Sequence, residues 1–406
     1  MTASHPSPTP NVRRTLLALA VVFVLLATTG WTAVRQQGGP VEARTAALAA
    51  WGQDRLGHRA LPDPTSPPGA VARFFSSIGA GQAASLADRH PLVVGNLNGV
   101  PVTLRYQANR KALAEERRVE QWRARDGRLS AAGRDDASRR VHRYESLLRA
   151  GRQILAFDPT GKGRVAEVFG DLDRAQRVSV IVPGVDTDVL TFERSSRRYS
   201  APVGMAQSLY TAERAAAPSV RTAVIAWADY TSPSGVGLDA STGRLAAGGA
   251  DRLVALAAAL PGRAEVSLFC HSYGSVVCGV AAPDLPRRVR DMAVAGSPGM
   301  RAESAAGLGT DARVWAMRDA DDWIKDVPYL KVGGLGHGPD PMTPGFGARV
   351  LSAAGAVGHT GYFEPGTESL SNFAEIGVGS YRTVSCGDGN SACRSGIYGA
   401  EGARRA

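Results

Sequence analysis

Between residues 177 and 317 the sequence returns five times to a short, nearly continuous apolar run, over 177–183, 221–228, 265–269, 291–295 and 313–317. Runs of this length without polar alternation suit strands buried on both faces, and so a parallel sheet. Stretches of helical composition near 203–216, 246–260 and 273–282 lie between them. That alternation predicts βαβ units and an α/β sheet covered by helices.

One junction in this pattern carries chemistry. Val266-Ser-Leu-Phe-Cys-His-Ser-Tyr-Gly-Ser-Val-Val277 reads as a strand, a His-Ser-Tyr-Gly turn and then a helix. It follows the G-x-S-x-G nucleophile elbow, with Cys270 standing where the first glycine belongs. The elbow pushes a serine hydroxyl off a sharp turn at the sheet edge. Small residues two before and two after let strand and helix pass closely. Ser272 is therefore the candidate nucleophile of an α/β-hydrolase fold. The helix that starts there points backbone N–H groups at the site, which favours developing negative charge.

A serine nucleophile needs a base, and the base needs an orienting acid. In this fold they follow in the order Ser, Asp or Glu, His. The run 313–317 is followed by Arg318-Asp-Ala-Asp-Asp-Trp-Ile324. Asp322 is the preferred acid, because Trp323 and Ile324 directly after it resume apolar packing; Asp319 and Asp321 are its rivals. Only His337 and His359 lie downstream, both in glycine-flanked loops, and His359 is the preferred base. His271 neighbours the nucleophile, but its side chain is expected to point away from Oγ. The oxyanion hole needs two backbone donors. The N–H of Tyr273 is one candidate. The other is that of Val185, in the Pro183-Gly184-Val185 turn that ends an early strand. An ordinary strand-ending turn would read the same way.

These residues also carry a family resemblance. Val182-Pro-Gly-Val-Asp-Thr-Asp188, Ala226-Trp-Ala-Asp-Tyr230, His271-Ser-Tyr-Gly-Ser275, Ala295-Gly-Ser-Pro-Gly299 and the stretch from His359 to Phe373 resemble DUF1023, a family of α/β-hydrolases in high-GC Gram-positive bacteria. Val94-Gly-Asn-Leu-Asn-Gly-Val-Pro101 and Gln107-Ala-Asn-Arg110 extend it upstream, to roughly residues 70–375. The family elbow reads Gly-His-Ser-Tyr-Gly-Ser, and Cys270 departs from it. The resemblance implies the hydrolase fold with Ser272, Asp322 and His359 at the triad positions. It implies no substrate.

The front of the chain is of a different kind. Residues 15–34 are uncharged and apolar, preceded by Arg13 and Arg14 and followed by Arg35. About 20 such residues cross about 30 Å of hydrocarbon as a helix. The run is longer than a signal-peptide core, lacks a clean small-x-small exit and ends near Trp31, so an uncleaved signal anchor is expected. That orientation puts the rest of the chain on the extracytoplasmic side, or makes it secreted if the segment is cleaved. Residues 61–69 hold four prolines and cannot be helical. One helix is expected over 70–88 and two over 104–153, broken near Gly127 and Gly133, with a solvated Arg/Glu face. The organisation read from this is a leader and membrane anchor (1–35), a mostly helical region (36–153), the catalytic α/β domain (154–380) and a flexible tail (381–406).

The formal net charge is +10, carried almost wholly by arginine, since lysine occurs only at 111, 162, 325 and 331. With 6% aromatic residues and no basic stretch interleaved with them, nucleic acid is not an expected partner. None of the four cysteines forms a C-x-x-C pair, and no metal or organic cofactor is expected. Cys386 and Cys393 close a glycine-rich loop that reads either as a disulfide, if the domain sits outside the cytoplasm, or as two free thiols in a flexible tail. The leading functional expectation is an esterase-like acyl hydrolase acting on a small-molecule or lipid acyl substrate. An acyltransferase with the same triad, or a non-catalytic envelope scaffold on this fold, is the alternative.

Overall fold

The computed structural model describes residues 42–389 and 391–397. The expected anchor over 15–34 lies outside the described residues. Among those described, no helix is long and apolar enough to cross a membrane.

The centre is an eight-stranded sheet: β1 Gln153–Asp158, β2 Arg164–Gly170, β3 Arg177–Val182, β4 Thr222–Ala228, β5 Glu265–His271, β6 Val289–Ala295, β7 Arg313–Met317 and β8 Arg349–Val350. Its order is β1-β2-β4-β3-β5-β6-β7-β8. From β4 to β8 every pairing is parallel, and only β2 runs antiparallel, to both β4 and β1. The five apolar runs are the central strands. The sequence pattern did not reveal β1, β2 or the short β8.

Ahead of the sheet come α1 Glu42–Gln53, α2 Pro68–Ser76, α3 Ala80–Arg89, α4 Pro91–Val94, α5 Val102–Arg123 and α6 Ala131–Leu147. The single helix expected over 70–88 is two, because the chain turns over Ser77–Gly79 and restarts with Gly79 as its N-cap. The break after α5 falls near Gly127, whereas Gly133 lies inside α6. Trp51, Phe74, Phe75, Leu86, Val94 and Leu104 form a small core of their own. Leu113 of α5 and Tyr144 and Leu147 of α6 instead share a core with Ile154, Phe157 and Val165 on the β1–β2 edge.

Between the strands lie α7 Pro202–Ala216, α8 Leu238–Ser241, α9 Arg244–Ala259 and α10 Gly274–Ala281, with α11 Glu368–Val378 near the end. Alternate residues of each central strand feed opposite faces. Val180, Ile225 and Leu268 meet Leu253 and Leu256 of α9 and Val277 of α10. Ile181, Val224 and Phe269 meet Leu209 of α7 and Phe373 and Ile376 of α11. Burial on both sides is why these strands read as unbroken apolar runs.

The α7 face also buries a carboxyl. Glu213 is fully enclosed, with the Ser179 hydroxyl donating to it. Burial pushes its pKa up to about 8 from an ordinary value of 4.5. Between those values the folded chain keeps a proton that the unfolded chain has released, so stability falls as pH rises through that window. Glu213→Gln keeps the shape and removes the titration. It is expected to melt several degrees above wild type at about pH 8 and to match it near about pH 4.5. Parallel melting curves for the two proteins across this range would refute the assignment.

Candidate active site

Ser272 sits where β5 ends and α10 begins, with φ at +54°. A left-handed backbone is costly for a residue with a Cβ and persists only where the surroundings enforce it. The enforcement is visible. The Ser272 N–H donates to the Ala295 carbonyl at 3.0 Å, and the Ser275 hydroxyl donates to the Ser272 carbonyl at 2.6 Å. α10 passes so close to β3 that a Cβ on Gly274 would lie 2.1 Å from the Val182 carbonyl oxygen.

Cys270 at the first position of the elbow is not merely a small stand-in for glycine. It forms a disulfide with Cys278 on α10, so a covalent bridge joins the strand before the nucleophile to the helix after it. Both cysteines are fully buried. Cys386 and Cys393 form a second disulfide. Among the described residues no cysteine is free.

The structure brings Ser272, His359 and Asp322 together in one hydrogen-bonded line. His359, in a short 3-10 segment Gly358–Phe363, has Nε2 2.8 Å from Ser272 Oγ and Nδ1 2.8 Å from Asp322 Oδ1. Asp322 is fully buried and also accepts from the Ile324 N–H at 2.9 Å and from the Tyr362 hydroxyl. Burial alone would raise its pKa, but the hydrogen bonds from His359, Tyr362 and Ile324 outweigh it and hold the carboxyl below the usual range. A carboxylate there fixes the proton on His359 Nδ1 and leaves the Nε2 lone pair facing the serine.

The rivals are elsewhere. Asp319 accepts from the Gly358 N–H at 2.8 Å and so pins the loop that carries His359. Asp321 is exposed. His337 has Nε2 2.7 Å from the Ala240 carbonyl and stands edge-on to the Tyr273 ring at 5.7 Å. Burial lowers its pKa. His271 donates from Nε2 to the His359 carbonyl at 2.6 Å. Burial and the neighbouring His359 depress its pKa to about 3, so it holds the His359 backbone as a neutral ring. The reason first given for Asp322 holds only in part: Ile324 is buried, but Trp323 is 46% exposed and leans on the His359 ring at 4.7 Å.

The expected oxyanion donors flank the serine. Among the described residues neither the Tyr273 nor the Val185 N–H donates to a protein acceptor. The loop carrying Val185 lies against the nucleophile so tightly that a Cβ on Gly184 would come within 2.6 Å of Ser272 Cβ. Sequence reasoning missed the residue that orients this loop. The buried Tyr230 hydroxyl donates to the Pro183 carbonyl at 2.6 Å and lies 3.2 Å from that of Gly184. A trans peptide points its N–H opposite its carbonyl, so drawing the Gly184 carbonyl toward Tyr230 turns the Val185 N–H the other way. Tyr230→Phe is expected to lower kcat about ten-fold and leave KM within about two-fold, the signature of a lost transition-state contact. An unchanged kcat in steady-state kinetics would remove Tyr230 from this role.

A pocket of about 170 Å³ opens over Ser272 and His359. Its walls come from the β3–α7 loop (Gly184 to Ser200), from Pro202 and Met205 at the start of α7, and from Thr360. Among the described residues no group of His, Cys, Asp and Glu could hold a metal ion.

The elbow, the parallel sheet and the strand plan meet an independent match: residues 158–332 fit a family model described as alpha/beta hydrolase. The chain has the α/β-hydrolase fold. It is similar to the uncharacterized protein Rv2079 of Mycobacterium tuberculosis, 28% identical over 82% of this chain and 61% of that protein. It is also similar to the uncharacterized protein Rv0963c of the same species, 29% identical over 54% of this chain and 85% of that one. The chain thus spans 61% of the length of the first of these relatives. Among solved structures, dienelactone hydrolase from Anabaena variabilis is similar at 16% identity, covering 55% of this chain and 92% of that one with a TM-score of 0.33. That likeness is too remote to bear on the site of this chain.

Proposed function

We propose that the protein is a serine hydrolase that cleaves an acyl ester through an acyl-enzyme. The observation that carries this reading is the continuous line Ser272 Oγ, His359 Nε2, His359 Nδ1, Asp322, with links of 2.8 Å at both ends of the imidazole. Ser272 Oγ attacks the ester carbonyl while His359 Nε2 takes its proton. The carbonyl oxygen becomes an oxyanion held by the Tyr273 and Val185 N–H groups. Collapse expels the alcohol, which receives the proton from His359. Water, deprotonated by the same Nε2, then attacks the acyl-serine and releases the acid and free Ser272. Asp322 orients the ring and stabilises it while it is charged.

The reading includes an extracytoplasmic setting, anchored through the apolar segment 15–34. Two disulfides in a chain with four cysteines support an oxidising compartment. The resemblance to DUF1023 belongs to the same proposal. A panel of p-nitrophenyl esters of rising acyl length tests it: turnover by wild type and none by Ser272→Ala is expected. A folded wild type inert to every ester would overturn it.

A further inference from the structure

The proposed reaction leaves one group in the pocket without a task. Arg194 lines the wall beside Ser272 and His359. Other arginines of the chain are engaged. Arg143 and Arg152 share Glu193, Arg164 and Arg252 meet Asp158 and Asp229, and Arg318 meets Asp340. Arg194 is exposed to solvent at this wall, and among the described residues it forms no ion pair or hydrogen bond with the protein. Its sequence neighbour Glu193 accepts from Arg143, Arg152 and the Ser146 hydroxyl, so that carboxylate is drawn to the α6 side of the loop. The pocket's one carboxylate besides the triad, Asp186, accepts from the Gly235 N–H at 2.7 Å and does not reach Arg194. A guanidinium is always charged, and its planar fork matches a carboxylate or phosphate better than water does.

Size narrows the choice further. About 170 Å³ holds only a handful of heavy atoms, well below the usual range for pockets that enclose a drug-sized ligand. The apolar lining is short, being Pro183, Val185, Pro202 and Met205, while Thr187, Thr191, Ser200 and Thr360 complete the wall. A long acyl chain would have to extend out of this pocket rather than be enclosed by it. Resting on the hydrolase reading above, we infer that the substrate is a compact ester carrying an anionic group, carboxylate or phosphate, which Arg194 binds while Ser272 attacks the ester carbonyl.

The test compares three esters on the full chain and on Arg194→Ala. They are neutral p-nitrophenyl acetate, p-nitrophenyl hemisuccinate with its carboxylate on the acyl side, and 4-acetoxybenzoate with its carboxylate on the leaving group. Arg194→Ala is expected to lower kcat/KM at least about ten-fold for one of the two anionic esters, mainly through KM, and to change p-nitrophenyl acetate less than about two-fold. Which anionic ester responds tells which side of the scissile bond faces Arg194. Added salt is expected to shrink the wild-type preference for it. Equal change, or no change, on all three esters would overturn the inference and leave the hydrolase reading standing. If wild type turned over no ester, the hydrolase reading would fall. Succinate binding by calorimetry then decides its anion-binding part separately: binding by wild type and none by Arg194→Ala supports Arg194 as an anion site, and no difference overturns it.

Discussion

His359→Ala is expected to lower kcat on a short-chain ester by about 10⁴-fold or more, while His337→Ala stays within about three-fold of wild type. The two histidines are alike in sequence setting, each in a glycine-flanked loop after β7. Their surroundings separate them. His359 has one ring nitrogen on the nucleophile and the other on a buried carboxylate. His337 is committed to the Ala240 carbonyl and packs on the Tyr273 ring, so its loss costs stability rather than chemistry. Parallel kcat measurements on the two variants, with melting curves to confirm folding, decide the matter. Comparable losses in both would contradict the assignment.

The second large effect falls on the acid. Asp322→Asn is expected to lower kcat by about 10³–10⁴-fold with little change in fold. The amide keeps the size of the carboxylate and loses its charge. It no longer stabilises the imidazolium, and its NH₂ group competes for the geometry that fixes the His359 tautomer. Tyr362 donates to the same carboxylate, so Tyr362→Phe is expected to cost less, about ten-fold. Asp321→Ala removes an exposed side chain and is expected to leave kcat unchanged. Steady-state kinetics on the three variants gives the ranking. An Asp321 variant as damaged as the Asp322 variant would reverse the choice of acid.

What could be read from the sequence follows from which interactions are local. The elbow was legible because a strand, a Ser-x-Gly turn and a helix are adjacent in the chain, and their close packing demands small residues within that window. The central strands were legible because burial on both faces leaves unbroken Val, Ile and Leu. β1 and β2 were missed because they lie at the sheet edge beside the helical region. The apolar run of β1 is only four residues, Ile154 to Phe157, and that of β2 is interrupted by Glu167. The Cys270–Cys278 bridge was missed for another reason. Its eight-residue separation means contact only once the elbow reverses the chain, and the elbow pattern accounts for Cys270 simply as a small residue in place of glycine. Tyr230 lies 46 residues from Gly184, and pairing β4 beside β3 is what brings it under the oxyanion loop. Nothing in its sequence neighbourhood announces that contact.

The most direct measurement is to treat the full-length protein with a fluorophosphonate probe and locate the adduct by peptide mass spectrometry. A single adduct on the peptide carrying Ser272, absent from folded Ser272→Ala, is the predicted result. A folded wild type that takes up no probe, or takes it up at another residue, would contradict the account.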